Sequence, residues 1–258
     1  GQHRRWQATD EHRIDAVGVA DGTPSPARTY APLEPVDGAE GVGAVRVGGA
    51  ALLGTEEDRF DPEQLRRALV SLAQAGEKRI VVPAGGLDTS SAGMERLAAD
   101  PVAAVAVWGG DERGLRDALG TVDLEVLVST DVPLLGWSGM AGVLAGDYRM
   151  DPEAAQRVEA AWYGVTADRG DSPMLLGPAP HEAPGSAAGD GLAYCLAAVG
   201  GRLVPASSVL IPMSEEVAGG ADYDTADLFV AVVPELDFAQ ADRGLVRAIA
   251  DRAAAAGV

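Results

Sequence analysis

The stretch RIVVPAGGLDTSSAGMERLAAD, residues 79–100, passes from a continuous apolar run through a glycine pair and a knot of small hydroxyls into a helix start. An apolar run without alternation suits a strand buried on both faces, the habit of parallel sheets covered by helices. The glycines permit a sharp corner after it. Ser90 and Ser91 stand where N-cap residues stand, just before a helix that opens near Ala92. Strand, corner and helix together are one half of a strand-helix-strand unit. Such a corner either cradles a phosphate on its free amides or serves only as a turn, and the glycine pair Gly85-Gly86 is compatible with both.

The same grammar extends in both directions. Upstream, Asp61-Pro62-Glu63 supplies an N-cap, a proline at the first helical position and an acid facing the helix dipole. Leu65, Leu69, Leu72 and Ala73 then recur at helical spacing, and Gly76 ends the helix. Downstream, VAAVAVW (102–108) reads as a strand, DERGLRDAL (111–119) as a helix and LEVLVST (124–130) as a strand. Asp151-Pro152-Glu153 opens a further helix with Ala154, Val158, Ala161, Trp162 and Val165 on one face, and AGDGLAYCLAAVGG (188–201) reads as another. Strands are expected at 14–20, 44–48 and 226–233, and a last helix at 238–256. Alternating strands and helices predict an α/β fold with a Rossmann-like, mostly parallel sheet, whose ligands gather beyond the C-terminal ends of the strands. The organisation expected is an N-terminal strand and loop segment over 1–50, a central α/β lobe over 51–225, and a last strand and helix over 226–258.

Composition narrows the function classes. Thirty-nine acidic residues against twenty basic ones give a formal net charge of -19 over 258 residues, so this acidic protein is a poor partner for nucleic acid or an anionic membrane. Lys78 is the only lysine, which bears on phosphoryl transfer, where a lysine commonly sits on the phosphates. The single cysteine, Cys195, lies in an apolar run and fits a reduced, cytoplasmic setting. No apolar stretch has the length of a membrane span, and the opening residues are too polar for a signal peptide. His181 has no second histidine at ligand spacing and reads as a loop residue, and no metal ligand set stands out.

Taken in order, the segments after the strands resemble the bacterial, ATP-dependent glycerate kinases, over roughly residues 44–258 and in four motif zones. The first zone, Gly-Gly-Ser-Ala-Thr-Asn-Asp-Gly-Gly in that family, stands here as Gly85, Gly86, Leu87, Asp88, Thr89, Ser90, Ser91, Ala92, Gly93. The second retains Thr130, Asp131 and Val132 but lacks the asparagine that follows. The third, a glycine-rich helix start, reads Ser186, Ala187, Ala188, Gly189, Asp190, with an aspartate in place of a glycine. The fourth keeps only Leu236-Asp237 of a longer acidic and basic motif, and the N-terminal VADGT (19–23) is a faint match.

The resemblance implies a glycerate kinase-like fold with a second lobe. It implies a phosphate or substrate site at Gly85, Gly86, Thr89, Ser90, Ser91 and Asp190, and catalytic roles for Asp131 and Asp237. ATP and Mg2+ would be the cofactors of an active enzyme, and a small hydroxy acid or a nucleotide its ligand. A homo-oligomer is compatible with the sequence. Each residue also has a plain structural use: Asp131 as a turn residue before Pro133, and Asp237 with Gln240 as the capping box of the last helix. Asp190, at the start of a helix, aims a carboxylate at the place a phosphate would take. Trp137, flanked by glycine and serine, is a candidate to line the cleft. Two functions follow: a protein of this fold with impaired or lost phosphoryl transfer, retained for binding or regulation, or an active kinase of glycerate or a related hydroxy acid in which Asp131 activates the hydroxyl.

Overall fold

The computed structural model describes residues 30–57, 59–169, 179–217, 228–230 and 245–257. Six strands form one sheet in sequence order: β1 (Glu34–Pro35), β2 (Val42–Val47), β3 (Ala50–Thr55), β4 (Arg79–Gly85), β5 (Asp123–Val128) and β6 (Arg202–Pro205). The first three are antiparallel neighbours, and β3 through β6 run parallel. Gly48 and Gly49, both with positive φ, make the two-residue turn between β2 and β3, the backbone that matches the natural twist of paired strands.

Each parallel connection passes through helices, as geometry requires when the next strand must start at the same end of the sheet. Helix α1 (Pro62–Gln74) joins β3 to β4, and α2 (Ser91–Ala99) and α3 (Glu112–Leu119) lie between β4 and β5. Next come α4 (Met140–Gly146), α5 (Pro152–Arg169) and α6 (Leu192–Ala198), before β6; α7 (Ala206–Val217) and α8 (Leu245–Ala256) follow it. The caps expected from the sequence are made: Asp61 accepts the amide of Gln64 at 2.9 Å, Asp111 that of Gly114 at 2.8 Å, and Asp151 that of Ala154 at 2.9 Å.

The central strands are apolar on both sides because both sides are covered. Ile80, Val82, Leu53 and Val126 point into the larger core with residues of α1 and α3 to α6, while Val81, Leu52 and Leu127 point the other way, against Leu210 and Met213 of α7. Trp162 and Tyr194 are wholly buried and meet edge to face at 5.8 Å in the larger core.

One expected strand is not a strand. Residues 102–108 form a 3-10 helix over Ala103–Trp108. Both flanks of β4 and of β5 are already occupied by other strands, so the segment has no open edge to pair with. It buries Ala104 and Val107, three residues apart, and donates the Trp108 Nε1–H to the Cys195 carbonyl at 2.8 Å. A short apolar run carries no period that would have told the two conformations apart. Strands β3 and β6 and helices α4 and α7 were not expected, and the β2–β3 hairpin runs across residue 50. The expected strands at 14–20 and, apart from 228–230, at 226–233 lie outside the described residues, as does VADGT (19–23); the expected helix at 238–256 is described from Leu245.

Candidate functional site

Strand β4 ends at Gly85, whose φ of +77 turns the chain out of the sheet, and the Ser129 amide holds its carbonyl at 2.8 Å. The turn that follows delivers α2, with Ser90 as N-cap: its hydroxyl oxygen accepts the Gly93 amide at 3.0 Å. Asp88 folds over the same helix start. Its carboxylate accepts the Ser90 amide at 3.2 Å and the Ser90 hydroxyl at 2.6 Å, and it pairs with Arg96 further along α2. Gly93 makes room for it, because a Cβ there would lie 2.1 Å from the carboxyl carbon. The positive end of α2 is therefore already served by an anion of the chain's own.

A second segment, Ala183 to Gly191, closes over this corner. It is stitched to the turn after β5: the Ser186 hydroxyl oxygen accepts the Leu134 amide at 2.8 Å, and the Ala187 amide donates to the Val132 carbonyl at 3.2 Å. It then touches the turn after β4 through the Gly189 amide, which donates to the Gly86 carbonyl at 2.8 Å. A Cβ on Gly189 would come 2.9 Å from the Ala84 carbonyl oxygen, so only glycine lets the two backbones approach. Gly189, Asp190 and Gly191 all have positive φ, at +62°, +57° and +95°.

Between these segments lies a cavity of about 640 Å3, lined among others by Arg59, Gly85, Gly86, Asp88, Arg96 and Asp190. The Asp190 carboxylate stands 3.7 Å from the Arg59 guanidinium. Burial pushes its carboxyl above the usual carboxylate range; Arg59 opposes this, and the charge of Asp88 adds to it. Asp88 goes the other way. Partial burial disfavours its charge, but hydrogen bonds from Ser90 and Arg96 outweigh that and hold it below the usual range.

The expected site residues divide. Gly85, Gly86, Ser90 and Asp190 line the cavity, whereas Thr89 and Ser91, in the same turn, are not among its lining. Asp131 is exposed in the turn after β5 and does not line it either. The neighbouring Thr130 makes the expected kind of turn contact there, its hydroxyl accepting the Val132 amide at 3.2 Å. Asp237 lies outside the described residues. Trp137 is fully exposed at 103% and is not in the cavity lining, so its expected place in the cleft is corrected: Gly136 turns at φ +108° beside it. Sequence reasoning missed Arg59 and Arg96. Arg59 follows β3, so recognising AALLGT as a strand would have marked it by the same rule that marked Asp131.

Among the described residues no group of three or more His, Cys, Asp or Glu is arranged to hold a metal ion. Cys195 is fully buried, and burial pushes its thiol well above the ordinary range, so it is inert at neutral pH. No helix among the described residues is long and apolar enough to cross a membrane.

No family model matches the chain, and no curated protein sequence does. In structure it is similar to a crystallised chain provisionally named glycerate kinase 2, from Salmonella typhimurium LT2: 15% identical, with a TM-score of 0.52, over 92% of this chain and 73% of that one. At that identity the likeness speaks for architecture, and the architecture of this protein is a glycerate kinase-like α/β fold.

Proposed function

We propose that the protein is a divergent glycerate kinase-like protein that has lost most or all phosphoryl transfer and persists as a binding or regulatory protein. One observation carries the reading. The corner where a phosphate would rest is filled from within: Asp190 lines it with its carboxylate 3.7 Å from Arg59, and Asp88 takes the start of α2. Phosphoryl transfer depends on positioning and on neutralising charge, so two carboxylates at that corner oppose it doubly. The positive charges in the lining, Arg59 and Arg96, are already matched by these two carboxylates, and the one lysine, Lys78, is not part of it. Asp131, the candidate to activate a hydroxyl, also stands outside that lining.

The test is a coupled assay with ATP, Mg2+ and glycerate, alongside a thermal-shift titration with the same nucleotide. The expected outcome is no turnover above background and no rise in melting temperature with Mg-ATP, since a ligand that binds only the native state must raise it. Turnover that disappears in Asp131→Asn overturns the reading and makes the protein a working kinase of a small hydroxy acid.

A further inference from the structure

We propose that Asp190 is a built-in plug: its carboxylate closes an oxyanion site made by Arg59 and Arg96, and the site accepts a small dianion once that negative charge is removed. This deepens the reading given under Proposed function and rests on it.

Three observations converge on the residue. The first is its backbone. Gly189, Asp190 and Gly191 are consecutive left-handed residues, and Asp190 alone of the three carries a Cβ. A side chain in that region costs strain, and it persists where its contacts outweigh the cost. The second is its place: the carboxylate stands beside Arg59 in the lining of a cavity of about 640 Å3 that Arg96 also lines. The third is the fit of the ion pair. Arg59 and Asp190 approach only to 3.7 Å, whereas Arg79 and Glu125 elsewhere in the fold meet at 2.8 Å, so the plug engages its arginine loosely.

The charges around Asp190 come from three elements. Arg59 belongs to the loop after β3, Asp88 to the turn after β4 and Arg96 to α2. With both aspartates ionised, the two arginines are matched charge for charge. With Asp190 neutral, one positive charge is left over. Glu57 and Asp100 also line the cavity but are exposed, where water and salt screen them. Burial already inclines Asp190 toward its neutral form, so acidification acts in the same direction as mutation.

Sulfate is the probe, because it remains a dianion from pH 8 down to pH 5, and sodium chloride at equal ionic strength is the control. Asp190→Gly relieves the left-handed backbone, and Asp190→Asn removes the charge but keeps the side chain's shape in a residue that tolerates that backbone. Both variants are expected to show a sulfate-dependent rise in melting temperature at pH 8, with sulfate bound about tenfold tighter than by the unmodified protein. The unmodified protein gains the same response as the pH falls, and adding Arg59→Ala to Asp190→Asn abolishes it. If the charge of Asp190 does not close the site, sulfate affects the Asn variant and the unmodified protein alike; that outcome overturns the proposal, as does a response that survives loss of Arg59. Failure here is distinct from failure of the functional reading, which is read by ATP-dependent turnover and not by sulfate.

Discussion

Two ends of the same parallel sheet hold carboxylates between arginines, and they solve the problem in opposite ways. At the N-terminal ends of β4, β5 and β6, Glu125 is 5% exposed and accepts Arg79 at 2.8 Å and Arg202 at 2.7 Å. Burial alone would disfavour its charge, but the two arginines more than offset that and hold its carboxyl below the usual range. At the C-terminal ends, Asp88 and Asp190 line the cavity with Arg59 and Arg96, and one of the two is pushed up. In the first cluster the charges are matched and closed in, since Asp123 also meets Arg202 at 3.4 Å. The second is matched as well but has a cavity beside it, so its charges can be rearranged by something that enters. The difference between structural and site-like electrostatics lies in whether any partner is left to exchange, more than in the residue types used.

The most disruptive way to break the cavity end is Gly191→Ala. At φ +95° a side chain is strained, and its Cβ would come 2.2 Å from the ring of Trp162, which is wholly buried and cannot withdraw. A loss of about 3 kcal/mol is expected in urea unfolding. At the opposite end, Glu125→Gln puts a neutral amide before Arg79 and Arg202, with Asp123 still 3.4 Å from Arg202. Removing one member of a fully buried pair costs more, but Arg202 is half exposed, so about 2 kcal/mol at neutral pH is expected. Because the native carboxyl of Glu125 is lowered, its contribution is present above its unfolded pKa and is lost as pH falls through the native one. The cost of Glu125→Gln therefore shrinks toward zero in acid.

Asp190→Asn is the smallest and has the opposite sign. A raised native pKa means that the fold favours the protonated form; the contribution is full below the unfolded pKa and is lost as pH rises through the native one. Replacing the acid by a neutral amide is expected to stabilise the protein at pH 8, by on the order of 1 kcal/mol, with no gain in acid. Paired pH titrations of the two variants, followed by urea midpoint, sharpen the comparison: both effects fade in acid, one from a loss and one from a gain. A stabilising Glu125→Gln or a destabilising Asp190→Asn at pH 8 would erase the distinction between the two ends.

Legibility in the sequence followed the range of the interaction. Helix α1 was readable from Asp61 to Gly76 because its cap, its proline, its apolar spacing and its stop all lie within the segment. Strand β4 was readable because it is buried on both faces and so carries an unbroken apolar run. Ser90 announced its cap three residues before the amide it accepts. Strand β3 was not readable, since AALLGT is small, short and bounded by glycine, and what makes it a strand is β2 on one side and β4 on the other. The segment 102–108 failed for the converse reason: its residues would suit a strand, and the sheet had no place for one.

The sequence by itself determined the local pieces, the alternation that makes an α/β sheet, and the corner Gly85-Gly86 with its capped helix, because caps, turns and apolar periods act over a few residues. Only the tertiary structure decided what occupies that corner. Asp88 and Asp190 come from turns far apart in the chain, and they meet because Gly189 lets its backbone touch that of Ala84 and Gly86. Arg59 joins them because β3 lies next to β4 in the sheet. Charge interactions of this kind depend on distance and burial, which strand order sets and no short stretch of sequence encodes.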